Sequence, residues 1–151
     1  MENNHKSLLI IFIATFAGIV IFTALSFYLK YQLNFPDVLS KKSIVNTIIP
    51  AIELILIVLG YFLYDQDSKK SKSSAQMSQQ ERFNIYKIAT FKKLIAFELA
   101  GFANAVMIIV NFQKNYLYMA TIIAVLFVLN IPSQSRFNRD FVPNEANSYK
   151  N

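Results

Sequence analysis

The sequence predicts an all-α polytopic membrane protein with four transmembrane helices. Of its 151 residues, 54% are hydrophobic, and the mean hydropathy is +0.36, which is more apolar than a typical soluble domain. The apolar residues fall into four long segments, and most charged residues lie between them. Because a helix needs about 20 apolar residues to cross a bilayer, a chain of this length forms one membrane domain and little else.

The first predicted span covers residues 7–29, which carry no charge and have a lysine on either side. Such a segment is typical of a transmembrane helix. A secretory signal peptide is the alternative, but its apolar core would be unusually long, and Ala24 and Ser26 form a poor cleavage site. Ala14 and Gly18 give the span a face of small residues on which another helix can pack.

The second predicted span covers residues 44–64 and contains one charged residue, Glu53. Glu53 lies about 13 Å from the start of the helix, close to the bilayer midplane. Pro50 removes one backbone donor and can bend the helix, while Gly60 shares the face of Glu53. We favour a packing role for this carboxyl through a hydrogen bond, with proton traffic as the alternative.

Residues 65–93 are predicted to link the second and third spans. The stretch 65–75 is rich in lysine and serine, which indicates a mobile segment. Ser78 and Glu81 match a capping box, and the mixture of apolar and basic residues that follows favours an interfacial helix over residues 78–93. A solvated extension of the third span is the alternative.

The third predicted span covers residues 94–112 and carries Glu98 about 6 Å inside its first end. A charged side chain in hydrocarbon costs about 2.5 to 3.5 kcal/mol on insertion scales. Gly101 and Ala105 share the face of Glu98, so another helix can approach it closely. Asn104 lies on an adjacent face and is a candidate hydrogen-bond partner for a neighbouring helix.

Three interpretations of Glu98 follow from this pattern. It can tie helices together as a neutral or hydrated group, or it can be a proton or cation site. The third interpretation, ranked last, keeps Glu98 charged by pairing it with Lys92 or Lys93. Those lysines do not share its helix face. Because Glu53 and Glu98 differ in predicted depth by roughly 9 Å, we do not expect them to share one proton.

The fourth predicted span covers residues 116–131 and follows a turn at residues 113–115. The polar tail, residues 132–151, begins at a proline that ends the span. Four spans place both termini and the 65–93 linker on one side, which holds eleven of the fifteen basic residues. The positive-inside rule therefore predicts that both termini are cytoplasmic.

The third and fourth spans resemble a group of small, uncharacterised bacterial four-helix membrane proteins. Those proteins have a glutamate followed by small residues in the third span, a short polar turn, and a fourth span ending in Arg-Pro-Thr with a basic residue nearby. The matching positions are Ala96, Glu98, Ala100, Gly101, residues 113–115, Ile131-Pro132-Ser133 and Arg136. Ile131 replaces the arginine and Ser133 the threonine, so an ion pair between that arginine and the glutamate is not expected. The resemblance covers about the last third of the chain and implies a bacterial inner-membrane location but no activity.

Composition narrows the function classes. There is no cysteine, and the single histidine, His5, lies in the polar N-terminal segment, so we predict no catalytic residues, no metal site and no cofactor. The basic residues flank apolar spans, which favours a bilayer surface over nucleic acid as their partner. We expect a structural or accessory subunit that packs against other membrane subunits or against itself. The alternative is a transport component coupled to protons or cations through Glu53 and Glu98.

Overall fold

The computed structural model describes residues 2–40, 42–74 and 76–143, with side chains from His5 onward. Several residues used in the predictions lie outside the described part of the chain. They are Lys41 and Lys150 of the basic residues, Ala75 of the linker, and the rest of 144–151 in the polar tail. The described part contains five helices and no strand, which confirms the all-α class. The helices are α1 (Glu2–Tyr31), α2 (Val45–Ser73), α3 (Gln79–Val110), α4 (Lys114–Leu129) and α5 (Gln134–Phe141).

Three helices, α1, α2 and α3, are long and apolar enough to cross a membrane. The fourth, α4, has 16 residues and is about 24 Å long, shorter than the hydrocarbon core of about 30 Å. A bend of 86° separates α4 from α5. The chain therefore has three candidate spans, or four when α4 and α5 are counted together, in a multi-pass membrane protein.

Helix α3 lies at the centre and packs against α1, α2 and α4. At one end, which we call the α5 end, the His5 ring of α1 lies 4.4 Å from the Phe83 ring of α3. At the other end, the Ser40 end, Lys30 Nζ of α1 donates to the Ile109 carbonyl of α3 at 3.1 Å. These contacts show that α1 and α3 run in the same direction. Helix α2 is antiparallel to α3, as the contacts of Asn46 with Asn111 and of Gly60 with Ala96 show. The bonds from Asn104 to Tyr116 and from Lys93 to Asn130 show the same for α4.

Gly60 allows the closest approach between α2 and α3. A Cβ atom at Gly60 would lie 2.9 Å from Ala96 Cβ and 3.4 Å from Lys93 Cα, so a side chain would force the helices apart. A Cβ atom at Gly101 would similarly lie 3.0 Å from Ile19 Cγ2, and Ala105 is fully buried. Among the small residues predicted to pack, these three lie between helices of this chain.

Ala14 and Gly18 are exposed on the outer face of α1. Within the described part of the chain, nothing lies within 4 Å of a Cβ atom built on Gly18. No described helix of this chain therefore packs on this face at Gly18. The predicted packing role of Ala14 and Gly18 stays a prediction.

The structure differs from the predicted linker over residues 65–93. Helix α2 continues to Ser73 and α3 begins at Gln79, so α2 and α3 form a helical hairpin. The predicted capping box is present, because Glu81 N donates to Ser78 Oγ at 3.3 Å and Ser78 N to Glu81 Oε2 at 2.8 Å. Arg82 closes the hairpin by donating to the carbonyls of Ser71, Ser74 and Met77.

The segment predicted as an interfacial helix is continuous with the rest of α3, but it is not the fully solvated extension that the alternative interpretation described. Its aromatic residues Phe83 and Tyr86 are buried and contact α5, whose Phe137 ring lies 5.5 Å from each of theirs. The polar tail therefore contains a helix that the sequence analysis did not predict. The mixture of aromatic and basic residues in this segment has a simple cause. One face of the helix packs against α5 and α1 through Phe83 and Tyr86, and another face exposes basic residues such as Lys87 and Lys92.

We predict that Gly60→Leu destabilises the protein by about 1 to 3 kcal/mol, because the new side chain overpacks the contact between α2 and α3. The matched control is Gly18→Leu, which has free space around it and gains helix propensity, so its stability should stay the same or rise slightly. The free energy of unfolding, measured in detergent for both variants, checks this prediction. Equal stabilities would contradict the close approach at Gly60.

Candidate functional site

Glu53 lies in the stripe of α2 that faces α3. The buried residues of α2 recur every three or four positions once past Glu53, as expected for one helix face; they are Asn46, Glu53, Ile57, Gly60, Tyr64, Ser68 and Ser71. Glu53 has 0% exposure, and neither carboxyl oxygen has a hydrogen-bond partner among the described residues. A buried carboxyl without a donor is costly in a membrane, which makes Glu53 a candidate functional group.

Asn104 of α3 lies at the same level as Glu53. Contacts of Asn46 with Asn111 and of Gly60 with Ala96 fix the antiparallel register, and Glu53 and Asn104 lie midway between them. Asn104 Nδ2 donates to the Tyr116 carbonyl of α4 at 3.0 Å. Its Oδ1 atom is buried without a donor in the described chain. The structure therefore brings two of the three candidate residues to one buried interface.

A hydrogen-bond network that the sequence analysis missed closes this interface at the Ser40 end. Asn46 Oδ1 accepts from Asn111 Nδ2 and from Tyr116 Oη, each at 3.1 Å. Asn46 Nδ2 donates to the Ser40 carbonyl at 3.2 Å. The sequence gives no signal for this network, because its members lie at the edges of predicted spans, where polar residues are common. Burial in the structure is what distinguishes Asn46, Asn111 and Tyr116 from ordinary interfacial residues.

The interface presents more acceptors than donors. Both oxygens of Glu53 and the Oδ1 atoms of Asn104 and Asn111 are buried without donors among the described residues. Such a set can hold a proton on the carboxyl or a cation near its oxygens. Over the same residues there is no group of three or more His, Cys, Asp or Glu side chains that could hold a metal ion.

Glu98, the third candidate, lies apart from this interface. It is two residues from Ala96, which contacts α2, so it projects from nearly the opposite side of α3. Its side chain is partly exposed. Lys92 instead pairs with Asp67 at 2.8 Å, and Lys93 Nζ donates to Asn130. The interpretation that pairs Glu98 with either lysine is therefore wrong within this chain.

Lys93 forms a second buried polar cluster, at the α5 end. Its side chain is 2% exposed, although the sequence analysis counted it among the surface basic residues. Lys93 Nζ donates to Asn130 Oδ1 at 2.9 Å and lies 3.6 Å from the centroid of the Tyr64 ring. Arg136 Nη1 donates to the same Asn130 oxygen at 2.8 Å. One amide oxygen thus accepts from both basic side chains, and the face of the Tyr64 ring lies against Lys93 Nζ.

Helix α5 is held on this cluster by Asp140. Asp140 Oδ2 accepts from Tyr64 Oη at 2.9 Å, and Asp140 Oδ1 accepts from Arg139 Nε at 2.7 Å. Partial burial raises the pKa of the Asp140 carboxyl, but hydrogen bonds from Arg139 and Tyr64 and the charges of Arg139 and Arg136 outweigh it, so the pKa lies below its usual range. The stability from this contact is present above the usual aspartate pKa and is lost as the pH falls through the lowered pKa.

We compared the chain with protein-family models, with curated proteins and with solved structures, and none of the three comparisons gave a match. The resemblance to small four-helix membrane proteins stays a prediction. In the structure, the basic residue of that resemblance, Arg136, donates to Asn130 and to the Leu129 carbonyl.

We predict that Tyr116→Phe lowers the free energy of unfolding by about 0.6 to 1.7 kcal/mol, the range for hydrogen bonds between membrane helices. The variant removes only the hydroxyl that donates to Asn46. Tyr118→Phe is the matched control, because Tyr118 is 65% exposed and should tolerate the change. Thermal or denaturant unfolding in detergent measures both, and an equal effect of the two variants would refute the network's contribution.

Proposed function

We propose that the chain is a structural or accessory subunit of a larger membrane complex and not an enzyme. It has four spans, with α4 as the fourth, in the bacterial cytoplasmic membrane, and both termini are cytoplasmic. The distribution of eleven of fifteen basic residues on the side of the termini supports this orientation. The lack of cysteine and the single histidine support a role in binding rather than in catalysis.

The observation that carries this proposal is the position of Glu98. Its side chain lies in a membrane-spanning helix, is partly exposed, and neighbours the exposed apolar residues Ile95, Leu99 and Phe102. No hydrogen bond or ion pair involves it within the described chain. A carboxyl in this position gains most from a hydrogen-bond donor on a helix of another molecule.

The small residues of α1 extend the same surface. Ile19 contacts Gly101, and the Phe22 and Phe102 rings lie 5.1 Å apart, so α1 runs beside this edge of α3. Because the two helices are parallel, the exposed Gly18 lies close to the level of Glu98. A partner helix can therefore approach over Gly18 and place a donor side chain at Glu98.

For the topology, we predict that cysteines introduced at Ser40 and Ser73 react with a membrane-impermeant reagent from opposite sides. Both side chains are exposed, and the chain has no native cysteine. In intact cells Ser40→Cys should label, whereas Ser73→Cys should label only after the membrane is opened. Labelling of both from the outside would rule out the four-span arrangement.

For the partner, we predict that Glu98→Gln keeps the complex, because an amide retains hydrogen-bonding capacity at nearly the same volume. Glu98→Leu and Gly18→Leu should each lose the partner while the isolated chain stays folded. Val106→Leu, at another exposed position of α3, is the control that should change neither. Native purification followed by mass spectrometry of co-isolating subunits measures retention, and full retention by Glu98→Leu would refute the proposal.

A transport component coupled to protons or cations is the second candidate function. It is favoured by Glu53, whose two oxygens are buried without a donor among the described residues, because a purely structural carboxyl would be expected to have one. Under this alternative, Glu53→Gln abolishes ion flux but leaves the fold and the partner intact, since an amide cannot exchange a proton. Unchanged flux in Glu53→Gln would exclude it.

A further inference from the structure

A cavity of about 270 Å³ lies between α1, α3 and α4. Its floor is formed by buried residues, among them Ile19, Gly101 and Ile123, and its rim includes the exposed residues Val20 and Ala24. The cavity exists because small side chains stand where α1 and α4 face each other. These residues are Ala24 of α1 and Ala120 and Ala124 of α4, with Gly101 of α3 beneath them.

The lining favours an apolar occupant over water. Apart from Thr23 and Asn104, every side chain that lines the cavity is apolar. The amide of Asn104 is already donated to the Tyr116 carbonyl, and its Oδ1 atom is fully buried. A water molecule needs two to four polar partners, and most of the cavity surface offers none.

The shape of the cavity indicates what fills it. The lining residues of α1 extend from Phe16 to Phe27, which is about 16 Å along the helix axis. The cavity therefore runs along the direction that lipid chains take in a bilayer. Its rim also lies beside apolar residues that face the membrane, such as Ile21 and Val125, which are 66% and 50% exposed.

We propose that this cavity binds one acyl chain of a bilayer phospholipid, which fills the gap between α1 and α4. The chain would bury apolar surface of both helices at once, and α1 otherwise contacts mainly α3. The site is separate from the surface at Glu98 and adjoins the Glu53 interface at Asn104. Under this proposal the phospholipid is a structural component of the protein. The proposal does not depend on the identity of any partner subunit.

The test compares the purified wild type with Ala124→Leu, which fills part of the cavity, and with Val125→Leu, which adds the same side chain type to the exposed face of α4. Native mass spectrometry after extraction in mild detergent should show one bound phospholipid on the wild type and on Val125→Leu. In Ala124→Leu the retained fraction should fall by about tenfold, because the added side chain excludes about two methylenes. Adding phosphatidylethanolamine back to delipidated samples should raise the melting temperature of the first two proteins only.

A fluorescence measurement keeps the proposal testable if Ala124→Leu fails to fold. The chain has no tryptophan, so the fluorescence of Phe16→Trp reports from the cavity alone. Phe97→Trp is the buried reference, because Phe97 is 1% exposed, and Phe62→Trp is the lipid-exposed reference, because Phe62 is 55% exposed. In vesicles of phospholipids with brominated chains, the cavity reporter should be quenched nearly as strongly as the exposed one. Quenching at the level of the buried reference, absence of bound lipid on the wild type, or a co-purifying protein in place of lipid would overturn the proposal.

Discussion

The close contact of α2 with α3 at Gly60 is the constraint on which the other features depend. With no side chain at Gly60, the Ala96 methyl group and the Lys93 backbone approach α2 directly. This contact sets the register that places Asn46 against Asn111 and Glu53 level with Asn104. It also places Lys93 Nζ over the Tyr64 ring. The buried polar groups along the interface of α2 and α3 are therefore arranged around this point of helix contact.

The two buried polar clusters satisfy their hydrogen bonds with different kinds of side chain. At the Ser40 end, neutral amides and a phenol share hydrogen bonds, each worth about 0.6 kcal/mol on average between membrane helices. At the α5 end, Lys93 and Arg136 converge on Asn130, and Asp140 accepts from Tyr64 and Arg139. Glu53 has no hydrogen-bond donor among the described residues, which distinguishes it from the polar groups in these two clusters.

The outer surface divides into regions with different chemistry. The side of α1 and α3 that carries Gly18 and Glu98 combines small residues with a carboxyl, which suits a protein helix that brings a donor. The cavity between α1 and α4 is almost wholly apolar and suits a hydrocarbon chain. The α2–α3 hairpin beyond Tyr64 carries exposed lysines such as Lys70 and Lys72, which suit water or anionic headgroups. A chain of this size can thus present surfaces of three different chemistries.

The sequence by itself determined the all-helical membrane class, the approximate position of each apolar helix, and Glu53 and Asn104 as buried polar groups. The helical class follows from the length and hydrophobicity of the apolar segments, because the backbone in a bilayer must satisfy its own hydrogen bonds. The two polar residues stand out because they lie inside those segments. Only the tertiary structure decided that residues 65–93 form a hairpin, that Lys93 is buried, and that the polar tail contains α5. Those outcomes depend on contacts between residues distant in the chain, such as Arg82 with Ser71 and Ser71 with Phe141, which give no local signal in composition or periodicity.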